Sequence, residues 1–248
     1  MKRAFDFSAA LAGLIALAPL LALVAIAVWL EDGHSPWFFA RRMARAGSRG
    51  GPYFRMVKFR TMIPDAWQSG VSSTASGDRR ITRVGALLRR AKLDELPQLW
   101  NVVAGDMSLV GPRPQGEADA ALYTTDERRM LEALPGVTDP ASIVFADEGQ
   151  ILWGVADPDL LYNQLIRPWK SRLALLYLER RTMGSDIRII LLTLVGAVAR
   201  ERALRGVGRI LESWNADPRL VRLASRKAPL TPYPPPGATA IVREYRAA

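Results

Sequence analysis

The chain has 248 residues, of which 49% are hydrophobic, a formal net charge of +10 and no cysteine. This length and composition allow one domain with a buried core plus appendages, and they exclude a disordered chain, a disulfide framework and a thiolate metal site or nucleophile. The positive charge predicts an anionic partner, which can be nucleic acid, a phospholipid surface or a phosphorylated substrate, and charge alone does not choose among them.

The first predicted element is an apolar helix over residues 8–30, a stretch without a charged residue. A helix of this length extends roughly 34 Å at ~1.5 Å per residue, which matches the hydrocarbon core of a bilayer. A cleaved signal peptide is the alternative, but the stretch is longer than a signal h-region and no small-residue cleavage site follows Trp29. We therefore predict a membrane helix within residues 1–32.

Both flanks of this helix are basic. Lys2 and Arg3 precede it, and the segment between Gly33 and Pro64 contains arginine and lysine but no acidic residue. The positive-inside rule then places both ends in the cytoplasm. Pro19 lies at the middle of the helix, where it removes a backbone donor and bends or breaks the helix. A re-entrant helix that turns back at Pro19 reconciles the two flanks, and a spanning helix with a proline kink is the alternative that the residues leave open.

Two short elements are predicted after the membrane helix. Residues 33–51 are rich in glycine and arginine around an aromatic patch at 37–39, which suits a loop or short strand at the lipid interface. Residues 53–62 alternate aromatic and branched residues and predict a short strand, whereas residues 64–77 are typical of a polar loop.

An amphipathic helix is predicted next, because Val84, Leu88 and Ala91 recur at helical spacing. It is followed by an adjacent acid pair, Asp94 and Glu95, among arginines with few other acids nearby. Arginine is suited to binding phosphate, and carboxylates are the ligands that Mg²⁺ prefers. The segment therefore has the composition of a site that handles phosphates and a metal.

Asp94 stands where the N-cap of a further helix belongs, with Pro97 inside the first turn. The structural interpretation is that Asp94 only caps this helix. The functional interpretation is that the helix N-terminus attracts phosphate through its free N–H groups and its dipole. Neighbouring side chains on a helix point about 100° apart, so one carboxylate of the pair can attack while the other holds a metal.

The later part of the chain has weaker signals. Arg113 lies between two prolines, which predicts a stiff loop suited to bidentate contact with phosphate. A simple surface turn is the alternative, and it is the commoner structure for such a sequence. Residues 186–198 predict a helix with a strongly apolar face, too short to span a membrane, that lies in the interface or against the core. Residues 205–248 are basic and proline-rich and predict a flexible tail with little catalytic role.

The run from Lys58 to Pro114 contains KFRTM, DELPQ and GPRP, and with them it resembles the catalytic region of the bacterial sugar transferases called monotopic phosphoglycosyl transferases. The resemblance makes residues 33–204 the catalytic domain. It implies an α+β fold, mainly helical, with an N-terminal re-entrant membrane helix and amphipathic interfacial helices. The family breaks this membrane helix at a central proline that a serine usually precedes; here Ala18 precedes Pro19, so a hydroxyl that could satisfy freed backbone groups is missing.

The resemblance also implies site residues. Asp94 would be the nucleophile, and Glu95 would be the second catalytic residue and would place Mg²⁺. Four basic residues are expected to bind substrate: Lys58, Arg60, Arg89 and Arg113. For the first two, the sequence leaves open whether they touch substrate or anchor the strand to lipid head groups.

The implied reaction transfers a sugar 1-phosphate from a nucleotide sugar, with UDP the expected nucleotide, to a polyprenyl phosphate such as undecaprenyl phosphate. It would pass through a covalent phospho-aspartyl intermediate and would initiate an exopolysaccharide, a lipopolysaccharide or another glycan. The expected partners are these two substrates and the anionic phospholipid membrane, without nucleic acid, and a homo-oligomer is left open. The expected location is the cytoplasmic face of the bacterial inner membrane, in a monotopic arrangement.

The resemblance weakens further along the chain. Residues 135–138 are similar to the family's Pro-Gly-Ile-Thr element, but Asp139 and Pro140 replace the glycine and the aromatic or aliphatic residue that usually follow. Selection of the sugar or the nucleotide is therefore left open at this point.

Two other classes of protein remain as hypotheses. A membrane-tethered binding module would use the arginines to hold anionic lipid or nucleic acid, and it predicts that loss of Asp94 or Glu95 changes little. Against it, the sequence has no aromatic and basic interleaving of an RNA-binding type and no DNA-reading helix pattern. An alcohol phosphotransferase acting on nucleotide diphosphate alcohols would carry its acids within several spanning helices, whereas this chain has one apolar segment of sufficient length.

Overall fold

A computed structural model of the protein describes residues 1–48, 50–66 and 77–244. Helices dominate this part of the chain and short strands form two separate two-stranded sheets, which confirms the mainly helical α+β class. The helices are α1 (Lys2–Asp32), α2 (Arg83–Ala91), α3 (Gln98–Ala104), α4 (Glu117–Ala121), α5 (Thr125–Arg128), α6 (Pro140–Val144), α7 (Glu148–Ile151), α8 (Pro158–Leu161), α9 (Arg167–Arg180), α10 (Met183–Val198), α11 (Arg200–Ser213) and α12 (Pro218–Ala224). The strands are β1 (Trp37–Met43), β2 (Tyr53–Phe59), β3 (Ser108–Val110) and β4 (Gly136–Thr138). Most of the loop predicted at residues 64–77 lies outside the described residues.

Helix α1 contains the long apolar segment and is long and apolar enough to cross a membrane, by length and composition. Its buried residues are Asp6, Ala10, Val24 and Val28, so most of its apolar surface is exposed, as expected of a helix that contacts lipid. The helix runs without interruption through Pro19, so the predicted break in the helix is not present. A proline in a helix interior costs one hydrogen bond and favours a bend, and the residues on both sides can stay helical. The re-entrant topology therefore stays a prediction.

Both ends of α1 are fastened to the rest of the protein. At its start, Lys2 Nζ donates a hydrogen bond to Asp186 Oδ2 of α10 at 2.5 Å. At its end, the Asp32 carboxylate pairs with Arg60 Nη2 at 2.6 Å, directly after β2. The two ends of the apolar helix thus contact elements of one folded unit.

The antiparallel pair of β1 and β2 confirms the two short elements predicted after the membrane helix, with Trp37 opposite Phe59. The other edge of β2 is met by Asn101 of α3. The Asn101 side chain accepts a hydrogen bond from Val57 N at 2.9 Å and donates one to Arg55 O at 2.8 Å. A side-chain amide thereby satisfies backbone groups that a further strand would otherwise pair, and it fixes α3 beside β2.

The parallel pair of β3 and β4 fixes the loop that contains Arg113. Ser108 lies opposite Gly136, and the backbone amide of Gly111 donates to Thr138 O at 3.0 Å. A Cβ atom on Gly136 would lie 2.1 Å from the backbone nitrogen of Gly111, so this approach of two backbones requires glycine. The loop after β3 therefore leaves the sheet at a defined point.

The main core lies between α6, α9, α10, α11 and α12, where Leu173 and Tyr177 are fully buried. The prediction of a flexible tail from residue 205 is wrong for α11 and α12, because Val207 and Leu211 belong to this core. The basic residues that suggested a tail lie on the exposed side of α11, while the apolar residues recur at helical spacing on the buried side.

The proline-rich stretch after α12 also packs on the domain. The ring of Tyr233 stacks on Trp169 of α9 with 4.5 Å between the ring centroids. Arg172 Nη1 donates to Pro234 O at 2.9 Å. The boundary predicted at residue 204 is therefore not a structural boundary.

Helix α10 confirms the apolar helix predicted at residues 186–198, and its two faces have different surroundings. Ile189 is fully buried in the main core. On another face, Ile187, Leu191, Leu194 and Val198 are 41% to 89% exposed. This exposed apolar stripe suits contact with lipid.

Candidate active site

The acid pair lies between α2 and α3. Helix α2 confirms the predicted amphipathic helix and ends at Ala91; the next residue, Lys92, has a left-handed φ of 55°. Residues Leu93–Glu95 then form a 3₁₀ turn, and α3 begins only at Gln98. The prediction that Asp94 caps this helix is wrong, because Pro97 takes the N-cap position after the turn. The argument from a helix N-terminus therefore does not apply to Asp94.

Glu95 is held by two cations. Its Oε1 accepts hydrogen bonds from Lys58 Nζ at 2.8 Å and from Arg113 Nη2 at 2.6 Å, and its Oε2 accepts from Arg113 Nη1 at 3.5 Å. Burial by itself raises the pKa of Glu95, but the charges of Arg113 and Lys58 outweigh burial and hold the pKa well below its usual range. Glu95 is therefore ionised at neutral pH and joins β2 to the loop after β3.

The carboxylate of Asp94 is half-buried and makes no hydrogen bond or ion pair with any residue that the structure describes. Burial and the negative charge of Glu95 raise the pKa of Asp94, while the charges of Lys58, Arg89 and Arg113 oppose that rise. A higher pKa corresponds to a more basic carboxylate, which donates its electron pair more readily. The pair thus combines one free, basic carboxylate with one that is fixed and ionised.

Two adjacent carboxylates with different environments, surrounded by cations, suit transfer of a phosphorylated group. A family model described as bacterial sugar transferase matches residues 1–200. The chain belongs to the bacterial sugar transferase family. The family predicted from the run Lys58 to Pro114 is thereby confirmed, and with it the prediction of a transferase enzyme.

Named relatives agree with this membership. The transferase is 37% identical over 200 residues to the undecaprenyl-phosphate glucose phosphotransferase of Komagataeibacter xylinus, a match that covers 78% of this chain and 35% of that protein. It is 34% identical over 207 residues to the UDP-glucose:undecaprenyl-phosphate glucose-1-phosphate transferase of Caulobacter vibrioides, covering 82% of this chain and 71% of that protein. It is 36% identical over 211 residues to the exopolysaccharide production protein PSS of Rhizobium leguminosarum bv. phaseoli, covering 81% of this chain and 96% of that protein. The chain therefore corresponds to about a third of the Komagataeibacter protein and to nearly all of the Rhizobium protein.

The basic residues predicted to bind substrate in this transferase do not all meet at the acid pair. Arg89 Nε donates to Thr61 Oγ1 at 2.8 Å, and the charge of Arg89 acts on Asp94. Arg60 instead turns toward the end of α1, where it pairs with Asp32. This contact is with neither substrate nor lipid head groups, so both roles that the sequence left open for Arg60 stay predictions.

A second group of charged residues adjoins the acid pair of the transferase and was missed from the sequence. Glu148 forms an ion pair with Lys170, and its charge acts on Arg113. Asp139 is 1% exposed and also acts on Arg113. These residues come from α7, from α9 and from the start of α6, so no local pattern joins them to the DELPQ motif. The one sequence signal was the departure from the family pattern at Asp139.

The donor set of the transferase fits a magnesium ion that is shared with substrate. The described residues, 1–48, 50–66 and 77–244, contain no group of three or more His, Cys, Asp or Glu side chains that could hold a metal ion. Mg²⁺ is commonly bound by one or two carboxylates, with substrate phosphates and water completing its shell. Glu95 Oε2 has only a long contact to Arg113, so this carboxylate has an oxygen available for the ion beside the phosphates of the substrate.

Proposed function

We propose that this transferase moves a sugar 1-phosphate from a nucleotide sugar, for which we expect a UDP-sugar, to undecaprenyl phosphate. The transfer would initiate an exopolysaccharide or another glycan such as lipopolysaccharide. The observation that carries the proposal is the free carboxylate of Asp94 beside Glu95, which Lys58 and Arg113 hold in place. The names of the Komagataeibacter and Caulobacter relatives both specify undecaprenyl phosphate and support the acceptor, and the Caulobacter name, which specifies UDP-glucose, supports the class of donor.

The reaction consists of two displacements at the phosphorus that bears the sugar. In the first, an oxygen of Asp94 bonds to this phosphorus, and the bond to the oxygen that bridges the diphosphate breaks. The electron pair leaves with the nucleoside monophosphate, which we expect to be UMP. In the second, a phosphate oxygen of undecaprenyl phosphate bonds to the same phosphorus, and the Asp94 carboxylate leaves. The product is undecaprenyl diphosphate sugar, and one difficult step has become two easier ones.

Fixed positive charge around Asp94 supports this chemistry. Negative charge develops on the leaving phosphate, and stabilising such charge is a dominant contribution in phosphoryl transfer. Arg89 and Arg113 act electrostatically on Asp94 and are suited to contact the diphosphate. Mg²⁺ bound through Glu95 would neutralise further charge on the diphosphate. Lys58 orients the Glu95 carboxylate for this role.

We propose a monotopic location on the cytoplasmic face of the inner membrane, where the lipid acceptor is available. A spanning helix would separate its ends by the ~30 Å hydrocarbon core, but the Lys2–Asp186 and Asp32–Arg60 pairs hold both ends of α1 against one folded unit. The exposed apolar stripe on α10 and the exposed aromatic residues at 37–39 supply further surface for lipid contact.

Single-cysteine labelling tests this topology, because the sequence has no cysteine of its own. We expect Ala4→Cys and Ser35→Cys to react with an impermeant maleimide from the same side of inner-membrane vesicles. Labelling of the two positions from opposite sides would refute the monotopic arrangement.

The reaction itself is tested with radiolabelled UDP-sugars and undecaprenyl phosphate in the presence of Mg²⁺. We expect the wild type to transfer label to lipid, and Asp94→Asn and Glu95→Gln to lose more than about a thousandfold in rate, of the order found for key groups in phosphoryl transfer. Glu179→Gln is the control, because Glu179 lies in an exposed ion pair with Arg129.

Without acceptor, the wild type should retain label on the protein in a form that hydroxylamine releases, and Asp94→Asn should retain none. Label on the Asp94→Asn protein would refute the assigned nucleophile. Absence of transfer with every UDP-sugar, while the variants bind anionic vesicles like the wild type, would favour a binding module.

A further inference from the structure

A cleft adjoins the acid pair, and Arg113 belongs to both. Its walls come from the loop after β3 and from α4, α6 and α9. The residues that carry the argument are Arg113, Asp119, Tyr123, Asp139, Tyr162 and Lys170.

The cations of this cleft already have carboxylate partners. The pairs are Arg113 with Glu95, Lys170 with Glu148, and Arg167 with Glu127. Two carboxylates of the cleft, Asp119 and Asp139, form no ion pair within the described part of the chain. The cleft therefore has hydrogen-bond acceptors left over and no spare cation, which suits a ligand that donates O–H groups better than a second phosphate.

Asp139 has the most defined position of these acceptors. It is 1% exposed, and its Oδ1 accepts from Ser142 N at 2.7 Å and from Ser142 Oγ at 2.6 Å, which caps α6. Its Oδ2 accepts no hydrogen bond from the residues that the structure describes. Asp139 lines the cleft, so its Oδ2 is available to accept a hydrogen bond from a ligand hydroxyl.

We propose that this cleft binds a hydroxyl-bearing ring of the donor, and that Asp139 Oδ2 accepts a hydrogen bond from one of its hydroxyls and so selects the donor. The inference rests on the proposed function, because Arg113 connects the cleft to the site where the diphosphate would react. The hexose and the ribose of a nucleotide sugar share this chemistry. The rings of Tyr123 and Tyr162 add flat apolar surface next to the acceptors.

Asp139→Asn separates the two roles of this residue. Asparagine caps helices about as well as aspartate, so the bond to Ser142 is retained, while Oδ2 becomes an amide that donates. Asp157→Asn is a matched control, because Asp157 also precedes a proline and caps a helix, with Oδ1 accepting from Leu160 N at 2.8 Å, but is exposed.

The measurement is twofold: kinetics of transfer with UDP-hexoses and their deoxy analogues, and calorimetric binding of UDP-hexose and of UDP to each protein in nanodiscs. For Asp139→Asn we expect the KM of the accepted donor to rise about ten- to a hundredfold with kcat changed less, as for loss of a hydrogen bond to a charged group. Removing the contacted hydroxyl from the donor should raise the KM of the wild type by a similar factor. The same removal should raise the KM of the variant little further. Asp157→Asn should match the wild type.

Weaker binding of UDP-hexose alone assigns the cleft to the hexose, and equally weaker binding of UDP assigns it to the ribose. Binding and KM within twofold of the wild type for Asp139→Asn would overturn the inference, and so would a lower melting temperature with unchanged KM. If no UDP-sugar is transferred by the wild type, the proposed function fails. The binding comparison then still decides whether Asp139 contacts a nucleotide sugar.

Discussion

Asn101 offers a test of how the active site is assembled. This side chain is 2% exposed and bonds to the backbone of Val57 and Arg55 on β2. Asn101→Ala leaves one N–H and one C=O group of β2 without partners, and each such group costs about 1–3 kcal/mol when buried. Water can reach Arg55, which is exposed, so the expected total is about 2–4 kcal/mol. The variant should also lose activity, because Lys58 follows Val57 directly.

For a chain of this size, a destabilisation of about 2–4 kcal/mol corresponds to a decrease of roughly 5–15 °C in melting temperature. Thermal unfolding in nanodiscs, followed by circular dichroism, measures the shift, and the transfer assay measures the expected tenfold or greater loss of rate. Gln150→Ala removes an exposed amide and serves as the control. A shift below about 2 °C with full activity would show that α3 is held beside β2 by other contacts.

Two further predictions concern buried charges. Glu127 is fully buried and accepts hydrogen bonds from Arg167. Glu127→Gln should leave the arginine charge unpaired and lower the free energy of unfolding, measured with denaturant, by about 3–5 kcal/mol. A decrease below about 1 kcal/mol would contradict this expectation. Burial raises the pKa of Asp147, but two arginines outweigh burial and lower it below its usual value. The ionised Asp147 carboxylate therefore stabilises the fold fully above ~3.9, its pKa in the unfolded chain. This stabilisation is lost as the pH falls through the lower pKa that Asp147 has in the folded protein. Asp147→Asn should flatten the acid limb of the stability curve, and an unchanged limb would contradict the assignment.

Local patterns in the sequence predicted much of the fold and the centre of the site. The spacing of apolar residues predicted α2 and α10, and residue alternation predicted β2. The DELPQ and GPRP motifs predicted Asp94, Glu95 and Arg113 as site residues, and the structure brings Glu95 and Arg113 together in an ion pair. The helix cap at Asp94 was wrong, since a left-handed Lys92 and a 3₁₀ turn intervene, and these depend on backbone geometry rather than composition.

The prediction of a flexible tail failed for a related reason. Charge density and proline content dominate the composition after residue 204, but the buried face of α11 depends only on the positions of a few apolar residues, such as Val207 and Leu211. Amphipathic helices expose their charges and bury their apolar stripe, so composition alone does not distinguish them from a basic tail. Composition also does not predict the stacking of Tyr233 on Trp169, because the two residues are distant in sequence.

By itself, the sequence determined the family and the apolar N-terminal helix, and it predicted which acids react, because each of these is encoded in contiguous residues. Only the tertiary structure decided which cation each acid meets. Glu95 meets Lys58 and Arg113, whereas Arg60, two residues from Lys58, pairs with Asp32. The tertiary structure also places Asp139, at the start of α6, in the cleft beside Arg113. Ion pairs and clefts depend on distances between segments far apart in the chain, and packing of the whole domain sets those distances.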